Sequence, residues 1–206
     1  MAVPTKLPQP MRPSGFTGRL FGYAMQWLAR SNYRWAIAQL EPVKPKSYLE
    51  IGFGTGRMAK MAAKRFRPAR LCGVDPSELM FETAAKKLRR YGKKHALDLR
   101  LGDDTMLSDW PDGQFDAIVA SHSFQFWSDP ATTLARLRAH LSPSGRLVLV
   151  IRRHVSKGVM RWIPNPITKS GDELGGLCDA LTAAGFRLVR VEKLPTGSQG
   201  FVAACA

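Results

Sequence analysis

Apolar residues recur along this chain in two rhythms. Leu20, Phe21, Ala24, Trp27 and Leu28 fall at helical spacing, and Ile37 and Leu40 extend the stripe past a polar break at Ser31-Asn32. Pro42 and Pro45 end it. From residue 47 onward, short apolar runs alternate with amphipathic stretches. The pattern predicts strands over 47–51, 70–74, 98–101, 115–120 and 146–151. Between them it predicts helices over 57–66, 78–91 and 131–141, the last closed by Ser142-Pro143-Ser144-Gly145, and a further helix over 172–184. Two final strands, 186–194 and 200–205, flank a Pro-Thr-Gly-Ser-Gln turn and read as a hairpin.

Strands alternating with helices predict an α/β fold. The sheet has seven strands, mostly parallel, with helices on both faces, and the C-terminal hairpin adds an antiparallel strand. No repeat and no second domain is visible. Residues 1–15, rich in proline, read as a flexible tail without the apolar core of a secretory signal, and 16–206 as one domain.

Composition narrows the function classes. With 206 residues, 45% of them hydrophobic and 9% aromatic, the chain has the make-up of a folded domain and not of a disordered one. No apolar run reaches the ~18–20 residues a membrane span needs. Cys72, Cys178 and Cys205 are too scattered for a disulfide framework, and His95, His122, His140 and His154 show no ligand spacing, so no metal is expected and a reducing cytoplasm suits the chain. The net charge of +15 favours anionic partners. Many of these cations fall on the helices after the first two strands, where they read as a solvated face. Arg152, Arg153 and Trp162 instead follow the fifth strand, on the rim where substrates are met, and suit an anionic or aromatic small molecule.

The densest chemical signal is Tyr48-Leu-Glu-Ile-Gly-Phe-Gly-Thr-Gly56. In an open α/β sheet ligands sit at the carboxyl ends of the strands, where a glycine-rich turn lets them approach backbone N–H groups. The third glycine comes one place too early for a dinucleotide fingerprint. Glu50, two residues before Gly52, would repel a pyrophosphate and attract an ammonium group, so the turn suits a ligand without phosphates. Asp75 closes the second strand where a carboxylate can accept both hydroxyls of a ribose. Asp103 and Asp104 follow the third strand where an adenine amino group could be received, and Ser121 and His122 close the fourth.

The segments LEIGFGTG, GVDPS, LGDD, FDAIVASHSFQFWSDP and LSPSGRLVLV, in this order, resemble the class I S-adenosylmethionine-dependent methyltransferases, in particular the small-molecule branch that includes ubiquinone and menaquinone biosynthesis. The resemblance implies a Rossmann-like fold and S-adenosylmethionine as cofactor, with S-adenosylhomocysteine as product. It implies that Glu50, Gly52, Phe53, Gly54 and Gly56 hold the methionine part, that Asp75 takes the ribose diol and that Pro76 borders the adenine. It implies further that Asp103 and the backbone of Asp104 read the adenine amino edge, and that Ser121 lies near the sulfonium. Gln125-Phe126 stands where the family often has a His pair, and the Asn-Pro-Pro-aromatic motif of adenine and glutamine methylases is missing.

In that family a helical segment before the first strand covers the cofactor cleft. Residues 16–45 are therefore expected to form an N-terminal helical lid, with Tyr23 and Trp27 facing the substrate and 46–206 as the Rossmann-like core. A second reading makes the same segment an interfacial helix lying on anionic lipid, as in a phospholipid N-methyltransferase with peripheral membrane contact. RNA is a weaker third partner, because no added RNA-binding module is visible. A cofactor-binding regulator without turnover is the reading from another class. His122 is a candidate general base or a residue that lines the cofactor, and methyl transfer to an amine or an anion needs no base. Of Phe124, Phe126 and Trp127, at least two are expected in the core.

Overall fold

The computed structural model describes residues 29–92, 96–110, 115–154 and 169–206. In chain order these form helix α1 (Arg30–Gln39), β1 (Ser47–Ile51), α2 (Arg57–Arg65), β2 (Arg70–Asp75), α3 (Glu78–Leu88), β3 (Ala96–Leu101), β4 (Phe115–Ser121), α4 (Pro130–His140), β5 (Leu141–Arg152), α5 (Gly171–Ala183), β6 (Phe186–Lys193) and β7 (Ser198–Cys205). Short 3-10 turns, Asp104–Asp109 and Phe124–Phe126, follow β3 and β4.

The seven strands form one sheet in the order β3-β2-β1-β4-β5-β7-β6. Strands β1 to β5 are mutually parallel, and β7 runs antiparallel between β5 and β6. The order reverses between β1 and β4, which makes the space beyond their carboxyl ends the crevice where such sheets take ligands. Asp116 fixes the register at the opposite end of this pair: its Oδ2 accepts from the backbone N–H groups of Lys46 and Ser47 at 2.9 and 3.0 Å.

Each face buries its own core. On one side Leu134 and Leu137 of α4 and Leu174, Leu177 and Leu181 of α5 cover Leu49, Ile51, Ile118, Leu147 and Leu149. On the other, Ala36 and Ile37 of α1 and Met58, Ala59, Ala62 and Ala63 of α2 cover Tyr48, Val119, Val148 and Val150. Alternate positions of each strand thus feed opposite layers, as the period of two requires. Three of the five described α-helices start on a side-chain cap: Ser77 accepts from Met80 N–H, Asp129 from Thr132 N–H before Pro130, and Ser170 with Glu173 forms a capping box.

Beyond shifts of one or two residues at other ends, two boundaries differ from the sequence reading. Helix α3 ends at Leu88 rather than Tyr91, because the chain tightens there, with Tyr91 N–H donating to the Leu88 carbonyl at 2.7 Å. Residues 142–145 do not form a loop but the first part of β5: Leu141 pairs with Phe115, and after a register shift Arg146 pairs with Ala117. Leu141 folds back over Gly145, where a Cβ would lie 2.8 Å from its Cδ1, so a residue without a side chain is what admits the irregular strand. The described part of the segment expected as a lid, α1, is packed on the sheet, with Ala36 and Leu40 fully buried and the Trp35 ring lying directly over Gly200.

Candidate active site

The turn after β1 is shaped by what lies on either side of it. Gly52 has φ +75°, and a Cβ there would lie 2.7 Å from Ser123 Cβ. Ser123 comes this close because its hydroxyl donates to the Ile51 carbonyl at 2.7 Å, tying the loop after β4 to the end of β1. Gly54 also has a positive φ, +53°, but a Cβ there would meet nothing within 4 Å. One glycine is thus filled by the protein's own loop and the next faces open space. Phe53, between them, is 3% exposed with its ring against Gly73, so its backbone alone is available to a ligand.

Two buried carboxylates flank this turn. Asp75 Oδ2 accepts from Gly54 N–H at 2.7 Å and Oδ1 from Ser77 N–H at 3.0 Å, so one side chain holds both the glycine turn and the start of α3. Burial pushes its carboxyl up to about 6, against the pull of these two donors. Glu50 accepts from the Tyr48 hydroxyl at 3.0 Å. Burial first, and then the nearby Asp75, push it up to about 8, while the Tyr48 bond pulls the other way. Tyr33 of α1 lies close enough to feel the Glu50 charge, and its phenol is raised mainly by burial. Glu50 is a buried acid that a cationic group can ionise.

Of the acidic pair after β3, Asp104 is buried and accepts from the Thr133 hydroxyl of α4, so its side chain braces the helix and leaves only backbone for a ligand. Asp103 is exposed and caps the 3-10 turn, its Oδ1 accepting from Thr105 N–H and Oγ1 at 3.0 and 2.6 Å. Pro76 is half-buried beside Asp75.

The carboxyl end of β4 holds the densest concentration of unsatisfied polar atoms. Ser121 Oγ, His122 Nδ1, Gln125 Oε1 and Trp127 Nε1 are all buried and meet no hydrogen-bond partner among the described residues. Buried polar atoms are normally paired, so four orphans within seven residues mark a place where a ligand supplies the partners. Phe124 and Trp127 are in the core, 5.0 Å apart by ring centroid, in line with the sequence reading. His122 sits at φ +58°, a conformation that costs a non-glycine residue roughly 1–2 kcal/mol. Three contacts hold it there. Its N–H donates to the Val150 carbonyl at 2.8 Å, its carbonyl accepts from Gln125 Nε2 at 2.9 Å, and its Nε2 lies 3.0 Å from Asn32 Nδ2. Burial, with Arg152 next, pushes the imidazole down to about 3, so the ring is neutral at pH 7.

The turn, Glu50, Asp75, Ser121, His122 and Arg152 therefore converge on the crevice. The backbone of Arg153, the next residue, makes an isolated bridge with Lys169. Tyr23, Trp27 and Trp162 lie outside the described residues, as do 1–28 of the expected tail and lid. Sequence reasoning missed Asn32, Ser123, Ser198 and Thr196, and no local spacing points to them. These features fit S-adenosylmethionine: a carboxyl for its ammonium group, an open backbone turn beside it and unsatisfied polar atoms across the crevice.

Residues 49–147 match the methyltransferase domain family. The demethylmenaquinone methyltransferase of Bacteroides fragilis is 31% identical over 121 residues, 59% of this chain and 49% of that protein. The trans-aconitate 2-methyltransferase of Deinococcus radiodurans is 30% identical over 160 residues, 76% of this chain and 58% of that one. The chain thus spans about half the length of curated relatives it matches. Among solved structures, an S-adenosylmethionine-dependent methyltransferase from Aquifex aeolicus superposes with a TM-score of 0.64 at 23% identity, covering 78% of this chain and 82% of that one. A geranyl diphosphate methyltransferase gives a TM-score of 0.67 at 16% identity, covering 84% of this chain and 76% of that one.

Proposed function

We propose that this chain is a class I S-adenosylmethionine-dependent methyltransferase and that it methylates a small-molecule acceptor at the carboxyl ends of β1 and β4; the match of residues 49–147 to the methyltransferase domain family and the strand order support the reading. The observation that carries the reading is the glycine turn itself, open at Gly54, with Glu50 behind it and Asp75 holding its backbone. Bound there, S-adenosylmethionine supplies a methyl group on a positively charged sulfur.

The chain's own residues bind and position. Glu50 would hold the ammonium group of the methionine part, releasing its proton to solvent on binding. Asp75 keeps the turn in shape through its two N–H bonds and has further lone pairs for the ribose hydroxyls. Asp103 Oδ2, outside its capping bonds, is available to the adenine amino group, and Pro76 borders the ring. Ser121 and His122 line the far side, where the acceptor enters. In-line positioning supplies much of the rate in such a transfer.

The acceptor is inferred to carry an anionic or aromatic part; Arg152, close enough to His122 to depress its basicity, supports an anionic one. The two relatives are named for demethylmenaquinone and trans-aconitate, which supports a small acceptor over a phospholipid headgroup. Among the described residues no helix is long and apolar enough to cross a membrane. A cytoplasmic setting fits three free, scattered cysteines. Titration calorimetry with S-adenosylhomocysteine tests the reading: saturable binding of one molecule per chain is expected, and no binding at sub-millimolar protein overturns it.

A further inference from the structure

His122 is held by a network that decides what its imidazole can do. Asn32, near the start of α1, is 2% exposed. Its Nδ2 lies 3.0 Å from His122 Nε2 and 3.2 Å from Ser198 Oγ, and its Oδ1 accepts from Thr196 Oγ1 at 2.6 Å. With the amide N–H donating, Nε2 must offer its lone pair, and the single proton of a neutral ring sits on Nδ1. That atom is buried and meets no acceptor among the described residues. A stranded N–H is unfavourable unless something arrives to accept from it.

Arg152 lies close to the same ring. It closes β5 two residues after Val150, whose carbonyl takes the His122 N–H, and its cross-strand partner is Ser198, which Asn32 also holds. Val150 packs in the layer that contains α1, and residues two apart on a strand share a face, so Arg152 emerges toward Asn32 and His122. Its guanidinium is half-buried, and no carboxylate among the described residues pairs with it. A partly desolvated guanidinium close enough to lower the basicity of the His122 ring, together with a buried N–H that has no acceptor among the described residues, is a carboxylate-binding arrangement.

We propose that Arg152 and the Nδ1–H of His122 bind a carboxylate of the methyl acceptor, and that Asn32 is the positioning residue that keeps the proton on Nδ1. His122 is then a hydrogen-bond donor and not a general base. The depressed basicity of the buried ring agrees, since a group that protonates near 3 is a poor proton acceptor at pH 7. The proposal rests on the methyltransferase reading for naming this ligand the acceptor, but the tautomer and the anion site do not depend on turnover.

The test uses the full chain labelled with nitrogen-15 histidine and long-range proton–nitrogen correlation spectra, with the His122 signals assigned from His122→Gln. The wild-type spectrum is expected to show Nδ1 protonated and Nε2 bare; a bare Nδ1 overturns the proposal with no variant needed. In Asn32→Asp the new carboxylate accepts, and the proton moves to Nε2; an unmoved proton refutes the positioning role. Succinate serves as the anion probe. It is expected to shift Nδ1 saturably in the wild type and to bind at least about tenfold more weakly to Arg152→Gln. No saturable shift, or equal affinity in the two proteins, refutes the carboxylate site. If S-adenosylhomocysteine fails to bind while these results hold, the anion site stands and the methyltransferase reading falls.

Discussion

Gly52 and Gly54 sit two residues apart in one turn, both with positive φ, and alanine should fail at each for a different reason. Any L side chain in this region costs roughly 1–2 kcal/mol, and both variants bear that cost. At Gly52 the added methyl would also lie 2.7 Å from Ser123 Cβ, inside a contact that Ser123 cannot leave without giving up its bond to the Ile51 carbonyl. Overpacking of this kind costs roughly a further 1–3 kcal/mol. At Gly54 the methyl meets nothing within 4 Å, so no such addition applies. For a chain of this length, Gly52→Ala should therefore melt roughly 2–12 °C below Gly54→Ala in calorimetric scans. Affinity should run the other way. The open space at Gly54 is where the cofactor would press against the backbone, so Gly54→Ala should weaken S-adenosylhomocysteine binding by at least about tenfold. Equal melting temperatures would refute the reading of Gly52 as locked by the β4 loop. Wild-type affinity in Gly54→Ala would refute the reading of Gly54 as the ligand face.

Glu50 carries a pH signature. The folded chain keeps a proton up to about pH 8 that the unfolded chain loses near 4.5, so Glu50 makes stability fall as pH rises between these values. Denaturation midpoints should trace that slope, and Glu50→Gln should flatten it; an unchanged slope would contradict the buried-acid reading. With that proton about nine-tenths present at pH 7, ligand binding should release close to one proton per chain, read from calorimetry in buffers of different ionisation heat. Release that persists in Glu50→Gln would assign it elsewhere. Asp75→Ala strands the Gly54 and Ser77 N–H groups, at a cost of roughly 1–3 kcal/mol for each, and urea titration should show it together with weaker cofactor binding. In Gly200→Ala the new Cβ would fall 2.3 Å from the Trp35 ring, so α1 must shift, and the melting temperature should drop by several degrees; a wild-type value would mean that α1 is not seated there.

Legibility followed the reach of the interactions. The glycine turn, Glu50 and Asp75 were readable because strand, turn and helix start are contiguous and their chemistry depends on local spacing. The parallel sheet followed from strand–helix alternation, and an antiparallel strand from the hairpin; the strand order did not, since it is set by pairings between segments distant in sequence. The strand start at Leu141 was hidden because Pro143 and Gly145 look like a helix stop, whereas the pairing partner that recruits them, Phe115, lies far away in sequence. Asp103 and Asp104 have the same chemistry side by side, and only the packing of α4, through Thr133, decides which one turns inward. The Asn32 network was the least legible part. It joins residues 90 and 166 positions apart, and an asparagine in a polar break of a helix has no periodicity that would announce its partner.

The most direct test incubates the purified chain with methyl-labelled S-adenosylmethionine and host extract, then separates lipid, nucleic acid, protein and small-molecule fractions. Label in an acidic small molecule, lost with Gly54→Ala, is the predicted result; label confined to another fraction, or none transferred at all, would contradict it.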